Sequence, residues 1–278
     1  MKDKNEKTVR NLIIFSLIVV FLPWVGVFLD QGGGMAPSEG LGILLWMAAP
    51  LLATIILRAF FGSGWKDFGI KPNFKGNDLW YLVSLLFYPI ITLIVVLVSQ
   101  WTGIVSVTGF NWGRFAASML AALPFAFIKN LFVEEAAWRG FLAPKMNKVA
   151  KNRLVSHLLV GFIWGLWHLP YVFIFTEQSN LGAFTTQSPT EVALFYIIGA
   201  MGSAIVYGEI RNRVNSFWPA VLMHTVGSVI SVPLVMEGWL KMTPGMEWLA
   251  TPGATGLLSI FLAVIFGVYL FLKVPKEA

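Results

Sequence analysis

Two adjacent carboxylates, Glu134 and Glu135, are followed four residues later by Arg139 in the run Phe132-Val133-Glu134-Glu135-Ala136-Ala137-Trp138-Arg139-Gly140. The sequence around them is otherwise strongly apolar. A charged side chain at the centre of a membrane helix costs roughly 2.5–3.5 kcal/mol on insertion scales, so it faces a bundle interior or a wet cavity. Glu135 and Arg139 are spaced i,i+4 with the acid first, the favourable order for an ion pair on one helical face. Glu134 points about 100° away on a regular helix and is expected to stay unpaired. An unpaired buried carboxylate is suited to general-base chemistry.

Two of the three histidines fall well inside apolar segments, while His157 stands near the start of one. His168 stands in Phe162-Ile163-Trp164-Gly165-Leu166-Trp167-His168-Leu169-Pro170, and His224 in Phe217-Trp218-Pro219-Ala220-Val221-Leu222-Met223-His224. A lone buried histidine is commonly a hydrogen-bonded packing residue, but two of them near an acidic pair point to a site. Pro170 and Pro219 each remove a backbone hydrogen bond near a histidine, an irregularity that polar cavities tolerate. His157 reads as structural, and Glu209, beside Arg211, as an interfacial acid. Three chemistries stay open on residue types alone. Glu134 with the two histidines could work as base and oxyanion donors, could hold a zinc ion with an open water position, or could relay protons in a small transporter.

The elements that must position these residues follow from composition. Of 278 residues, 57% are hydrophobic and only 12% charged, against about one quarter charged in a soluble domain. With no cysteine, disulfides, thiolate metal sites and cysteine nucleophiles are excluded. About eight segments are long and apolar enough to cross a bilayer core of about 30 Å: 11–29, 41–60, 79–101, 115–137, 154–176, 192–210, 216–236 and 253–273. The first is expected to be an uncleaved anchor ending in a turn at Gly32-Gly33-Gly34. Pro144 is expected to stop the helix that carries the acidic pair.

The charges test this count. Seventeen of the 20 lysines and arginines fall before span one, after the even-numbered spans or at the end of the chain; the exceptions are Arg114, Lys129 and Lys241. The positive-inside rule then places both termini in the cytoplasm. The formal charge of +6 flanks spans and forms no stripe, so nucleic acid is not an expected partner and the lipid bilayer is. The segment Phe61–Asn77, where aromatic and basic residues interleave, suits the headgroup region, but an ordinary interfacial loop turning at its glycines and proline is the preferred reading. The turn-rich stretches from Asp30 to Pro37 and from Thr176 to Pro189 need only connect helices. The fold class expected is an all-α polytopic membrane bundle, one domain over 1–278, with both termini cytoplasmic.

At these residues the sequence resembles the CPBP family of intramembrane proteases, the group that includes the type II CAAX prenyl endopeptidases. Its Glu-Glu-x-x-x-Arg motif is matched by Glu134, Glu135 and Arg139. Its aromatic residue four before a histidine, usually Phe, is Trp164 before His168. Its His-x-x-x-Asn, or Asp at the last place, is His224 with Ser228. The resemblance covers roughly 115–235, which would be the catalytic core, and the eight-span layout is similar too. It implies a protease acting on a peptide or protein substrate in a multi-pass membrane protein, expected in the plasma membrane of a prokaryote. Glu134 would activate water with help from His168, while His224 and Ser228 would polarise the carbonyl or stabilise the oxyanion. Glu135 and Arg139 would be structural support. Zinc on Glu134, His168 and His224 is the alternative to a metal-free site, and the metal-free form is preferred because Glu134 cannot comfortably be both ligand and base. Serine at 228 is shorter than the family's amide or carboxylate, which leaves room for a weakened member that binds peptides as an immunity or scaffold protein.

Overall fold

A computed structural model describes residues 2–36, 39–176 and 185–273, with the side chains of 2–4 outside that description. Pro37, Lys276, most of the 176–189 connection and the side chains of Lys2 and Lys4 therefore lie outside the described residues. The architecture is an all-α membrane bundle. Its principal helices are α1 (Lys2–Gly33), α2 (Leu41–Ala59), α3 (Asp78–Trp101), α4 (Trp112–Ile128), α5 (Ala143–Val149), α6 (Arg153–Trp167), α7 (Pro189–Val214), α8 (Trp218–Met236) and α9 (Leu257–Leu272). The strands β1 (Val105–Val107) and β2 (Leu240–Met242) pair antiparallel, with Val105 opposite Met242.

Seven helical runs are long and apolar enough to cross a membrane, the fourth of them running unbroken from Trp112 to Val149. The expected eighth span is shorter than the sequence suggested. Residues from Thr251 to Gly256 form a turn region, leaving 16 residues in α9, or about 24 Å of helix. Lipid-facing stripes are explicit. On α1 the side chains of Ile13, Leu17, Phe21, Val25 and Phe28 are all exposed at near-helical spacing. An apolar face of this length is what a membrane-spanning helix presents.

Of the turn expected at Gly32-Gly33-Gly34, α1 takes up Gly32 and Gly33, and Gly34 alone turns, in the left-handed conformation, φ 69°. Asp30 explains why the helix continues. No side chain at Gly40 caps α2; instead the Asp30 carboxylate accepts from the backbone N–H groups of Leu41 and Gly42, both at 2.7 Å. An anion at a helix N-terminus satisfies orphan donors and complements the helix dipole. Gly26 faces Gly42 at the α1–α2 crossing, where an added Cβ would sit 2.7 Å from a backbone carbon.

The basic connections converge at one end of the bundle. Asn11 donates to the Phe61 carbonyl and to Ser63 Oγ, both at 2.9 Å. Asp67 accepts from Arg58 at 2.8 Å, Lys145 at 3.0 Å and Lys148 at 2.5 Å, and its carbonyl accepts from Arg211 at 2.8 Å. Arg213 donates to the Lys273 carbonyl at 3.2 Å. At the other end Arg114 pairs with Glu237 at 2.9 Å, beside the β1–β2 ribbon that carries Lys241. The alternation read from loop charges is thus the alternation of the helices. The 61–77 segment divides: Phe68 is buried against Phe217, while Trp65, Ile70 and Phe74 remain exposed.

Glu209 is not an interfacial acid. It is 1% exposed, and its carboxylate accepts from Arg153 at 2.7 Å, contacts His157 at 3.0 Å and accepts from Arg213 at 2.5 Å. A buried carboxylate survives only when its charge is paired and its lone pairs are filled. Arg153, His157 and Arg213 come from α6 and α7, so the cluster fastens these two helices at the basic end. The structural role expected for His157 is the one it has there.

Candidate active site

The fourth run starts conventionally, with Asn111 Oδ1 capping α4 by accepting from the Arg114 N–H at 2.9 Å. It then changes pitch. Residues Lys129–Glu135 and Trp138–Leu142 are π-helical, two short wide-turn stretches on either side of Ala136-Ala137. Such insertions are uncommon and tend to sit at functional sites. Pro144 does not end the helix as expected. It occupies the first turn of α5, where its missing N–H is tolerated, directly after the second wide turn.

The change of pitch alters who faces whom. In a π-turn residues i and i+5 stack, so Lys129 lies over Glu134. Its ammonium forms a close ion pair with Glu134 Oε1. Glu134 was expected to be unpaired, and this corrects the regular-helix reading. The other oxygen, Oε2, accepts from Trp164 Nε1 at 2.8 Å. Glu135 behaves as expected: Oε1 accepts from Arg139 at 3.2 Å, and both residues are fully buried. The Arg139 guanidinium is also held between two aromatic faces, 4.3 Å from the Trp164 ring and 4.3 Å from that of Tyr207.

Helix α6 delivers Trp164 and His168 through a close crossing with α7. Cβ atoms added at Gly161 or Gly165 would strike the α7 backbone at Met201 and Ile197. Small residues four apart let membrane helices approach in this way. The end of α6 is fixed by a reciprocal tryptophan pair. Trp46 Nε1 donates to the Trp167 carbonyl at 2.8 Å, Trp167 Nε1 donates to the Trp46 carbonyl at 3.0 Å, and the rings stack 4.5 Å apart.

The histidine tautomers follow from their partners. His168 Nδ1 is 2.9 Å from the Trp164 carbonyl, which can only accept, so Nδ1 carries the proton and Nε2 of the neutral ring keeps its lone pair. The ring stacks on Tyr196 at 4.9 Å. His224 Nδ1 lies 2.8 Å from Glu135 Oε1, again an acceptor, and its Nε2 lies 3.8 Å from Glu134 Oε1. His224 therefore bridges the two glutamates. Ser228, one turn further along α8, donates to the His224 carbonyl at 3.0 Å and accepts from Asn130 Nδ2 at 3.3 Å.

Glu134, Glu135, Arg139, His224 and Ser228 thus meet along the α8 contact. His168 joins them through Trp164; no hydrogen bond links it to Glu134 among the described residues. Sequence reasoning missed Lys129 and Asn130. Both precede the acidic pair in an apolar run, and their unusual polarity was the available signal. The indole N–H of Trp164, absent from the family's usual Phe, was a second.

The same geometry tests a zinc site. Among the described residues no three His, Cys, Asp or Glu side chains gather as metal ligands. Glu134 Oε1 faces an ammonium, Glu134 Oε2 an indole N–H, and His224 offers only Nε2. His168 Nε2 keeps a lone pair as well, but a cation joining Glu134, His168 and His224 would have to displace Lys129 from the carboxylate.

Two comparisons bear on the same region. A family model described as Type II CAAX prenyl endopeptidase Rce1-like matches residues 115–230, a stretch that holds every residue of the cluster. CAAX prenyl protease 2 of Methanococcus maripaludis is 24% identical over 220 residues, which cover 75% of this chain and 78% of that protein. The kinship expected from Glu134, Glu135, Arg139, His168 and His224 is supported, and the motif-bearing region of this multi-pass membrane protein is similar to the Rce1-like type II CAAX prenyl endopeptidases.

Proposed function

We propose that the protein is an intramembrane endopeptidase in which Glu134 activates water at the end of the bundle where the basic connections gather. One observation carries the reading: a fully buried glutamate pair bridged by His224, inside the family-matched segment. Lys129, with its side chain 24% exposed, has room to leave Oε1 as the substrate enters. Glu134 then takes one proton from water while the oxygen bonds to the scissile carbonyl carbon, and the carbonyl pair moves onto oxygen. Collapse restores the carbonyl, breaks the C–N bond and returns the proton from Glu134 to the leaving nitrogen. His168 Nε2 accepts a hydrogen bond from the attacking water, and His224, carrying a proton on each nitrogen, keeps Nδ1 on Glu135 and donates from Nε2 to the charge that develops.

The reaction is metal-free, which the Lys129–Glu134 pair supports. The charge bias of the loops supports a cytoplasmic site, and the archaeal relative supports a prokaryotic plasma membrane. The family description and the relative's name direct the substrate search to prenylated peptides ending in Cys-aliphatic-aliphatic-X. A second reading, a peptide-binding member without catalysis, is favoured by Ser228, whose single proton is engaged by the His224 carbonyl.

The test is cleavage of a quenched fluorescent prenylated peptide of that type by the protein in liposomes, with products identified by mass spectrometry. Cleavage by the wild type and none by Glu134→Ala is the expected result. Equal cleavage by both would sink the mechanism. Capture of intact peptide by both, without cleavage, would favour the binding reading.

A further inference from the structure

Position 228 poses a chemical problem: the family's amide or carboxylate is replaced by a hydroxyl whose only proton is already donated to the His224 carbonyl, 3.0 Å away. A serine hydroxyl has one donor, so Ser228 cannot also give a hydrogen bond to an oxyanion without breaking that contact. The neighbouring side chain has what serine lacks. Asn130 is fully buried on the first π-helical stretch, and its Nδ2 carries two protons, one of them directed to Ser228 Oγ at 3.3 Å. The amide oxygen, Oδ1, has no protein partner although it is buried. An unmade hydrogen bond at a buried polar atom costs about 1–3 kcal/mol, so such an atom calls for an explanation.

The antiparallel course of the two helices supplies one. The fourth run approaches the basic end in the order Asn130, then Glu134 and Glu135, whereas α8 leaves that end in the order His224, then Ser228. Two rungs result: His224 opposite Glu134 and Glu135, and Ser228 opposite Asn130. Asn130 is thus one turn from the reacting carboxylate, at the level where the third motif normally presents its polar side chain.

We infer that Asn130 supplies the oxyanion-binding amide of this protein, with Ser228 as the residue that positions it. The inference rests on the proteolytic reading of Glu134. The free Nδ2 proton is directed to the substrate carbonyl oxygen, while the lone pair of Ser228 fixes the amide plane. Oδ1 is then left to accept from the peptide N–H next to the scissile bond.

The test uses the same quenched prenylated peptide and the 278-residue protein in liposomes, with kcat and KM measured separately for Asn130→Ala, Asn130→Asp, Asn130→Ser, Ser228→Ala and the exchange Asn130→Ser with Ser228→Asn. Removing one oxyanion donor lowers kcat by roughly 10²–10³-fold. Asn130→Ala and Asn130→Asp are expected in that range with KM within about twofold, and Ser228→Ala at a smaller loss. The exchange is expected to recover most of what Asn130→Ser alone removes, because the amide returns to the other helix. Thermal unfolding and peptide binding in a Glu134→Ala background report on folding. Wild-type kcat in Asn130→Ala overturns the inference while Glu134→Ala remains inactive. So does a loss confined to unfolding temperature or KM, or an exchange no better than Asn130→Ser. Equal cleavage by wild type and Glu134→Ala, or none by the wild type, overturns the proteolytic reading and this inference with it.

Discussion

Two of the centres where the bundle buries acids, Glu209 and the Glu134–Glu135 pair, are finished differently. Around Glu209 every carboxylate oxygen is filled: Oε1 by Arg153 and His157, Oε2 by Arg213. Around Glu134 and Glu135 the accounts stay open. Glu135 Oε2, Arg139 Nη2 and Asn130 Oδ1 are buried without protein partners, and the ammonium on Glu134 belongs to a partly exposed side chain that can move. A closed network specifies and fastens a fold, whereas polar groups left unsatisfied in a low-dielectric interior are costly and persist where function uses them. The lesson is that burial of charge does not mark a catalytic centre. What separates this centre from the one around Glu209 is the spare hydrogen-bonding capacity left on Glu135, Arg139 and Asn130.

Two substitutions can break this contrast. Glu134→Ala is expected to lower peptide cleavage by roughly 10²–10⁴-fold, the range for a lost general base, with thermal unfolding little changed. Glu209→Ala is expected to do the reverse, costing about 3–5 kcal/mol because it strands Arg153, His157 and Arg213 without an anion. Denaturation in detergent together with the activity of the folded fraction separates the two. If Glu209→Ala abolished cleavage at unchanged stability, the division between a fastening centre and a reacting one would be wrong.

That division was only half legible in the sequence. The helical class, the alternation of basic ends and the Glu135–Arg139 pair all follow from composition or from i,i+4 spacing, which are local properties. Lys129 on Glu134 was not legible because it depends on a π-turn. The sequence around 129–135 carries no proline or glycine to announce one, and on a regular helix positions five apart do not stack. Glu209 was misread for a different reason. Its partners Arg153 and His157 are more than 50 residues away, and Arg211, the neighbour that suggested an interface, donates instead to the carbonyls of Arg139 and Asp67. The Asn130–Ser228 contact is longer in range still, spanning 98 positions. The motif named its departure at 228 but could not name the residue placed to meet it.

Asp67 offers a milder version of the fastening centre, at the surface and open to titration. Burial pushes its carboxyl up, but hydrogen bonds from Lys148, Arg58 and Lys145 outweigh that and hold it below the usual carboxylate range. Because its folded value lies below the unfolded one of about 3.9, its contribution is complete above that pH and is lost as the pH falls through the folded value. Wild-type stability is therefore expected to decline below about pH 4 by an amount that Asp67→Asn no longer shows. At neutral pH the variant is expected to lose about 1–3 kcal/mol, the scale of hydrogen bonds to charged groups. Parallel acid limbs in the two proteins would remove Asp67 from the fastening role.

The smallest expected effect sharpens the contrast most. If Lys129 is the cation of the reacting centre, a chelator has nothing to withdraw, and cleavage after prolonged exposure to a strong zinc chelator should stay within about twofold of the untreated rate. A bound zinc would neutralise Glu134 itself, as well as lower the pKa of a bound water to about 7. Loss of cleavage on chelation, restored by zinc alone, would mean that Lys129 gives way to metal in the working enzyme. The open hydrogen-bonding capacity around Glu134 would then be a ligand set in waiting rather than a place for substrate. Because chelation touches neither Glu209 nor Asp67, an effect on activity without an effect on unfolding could come only from the reacting centre.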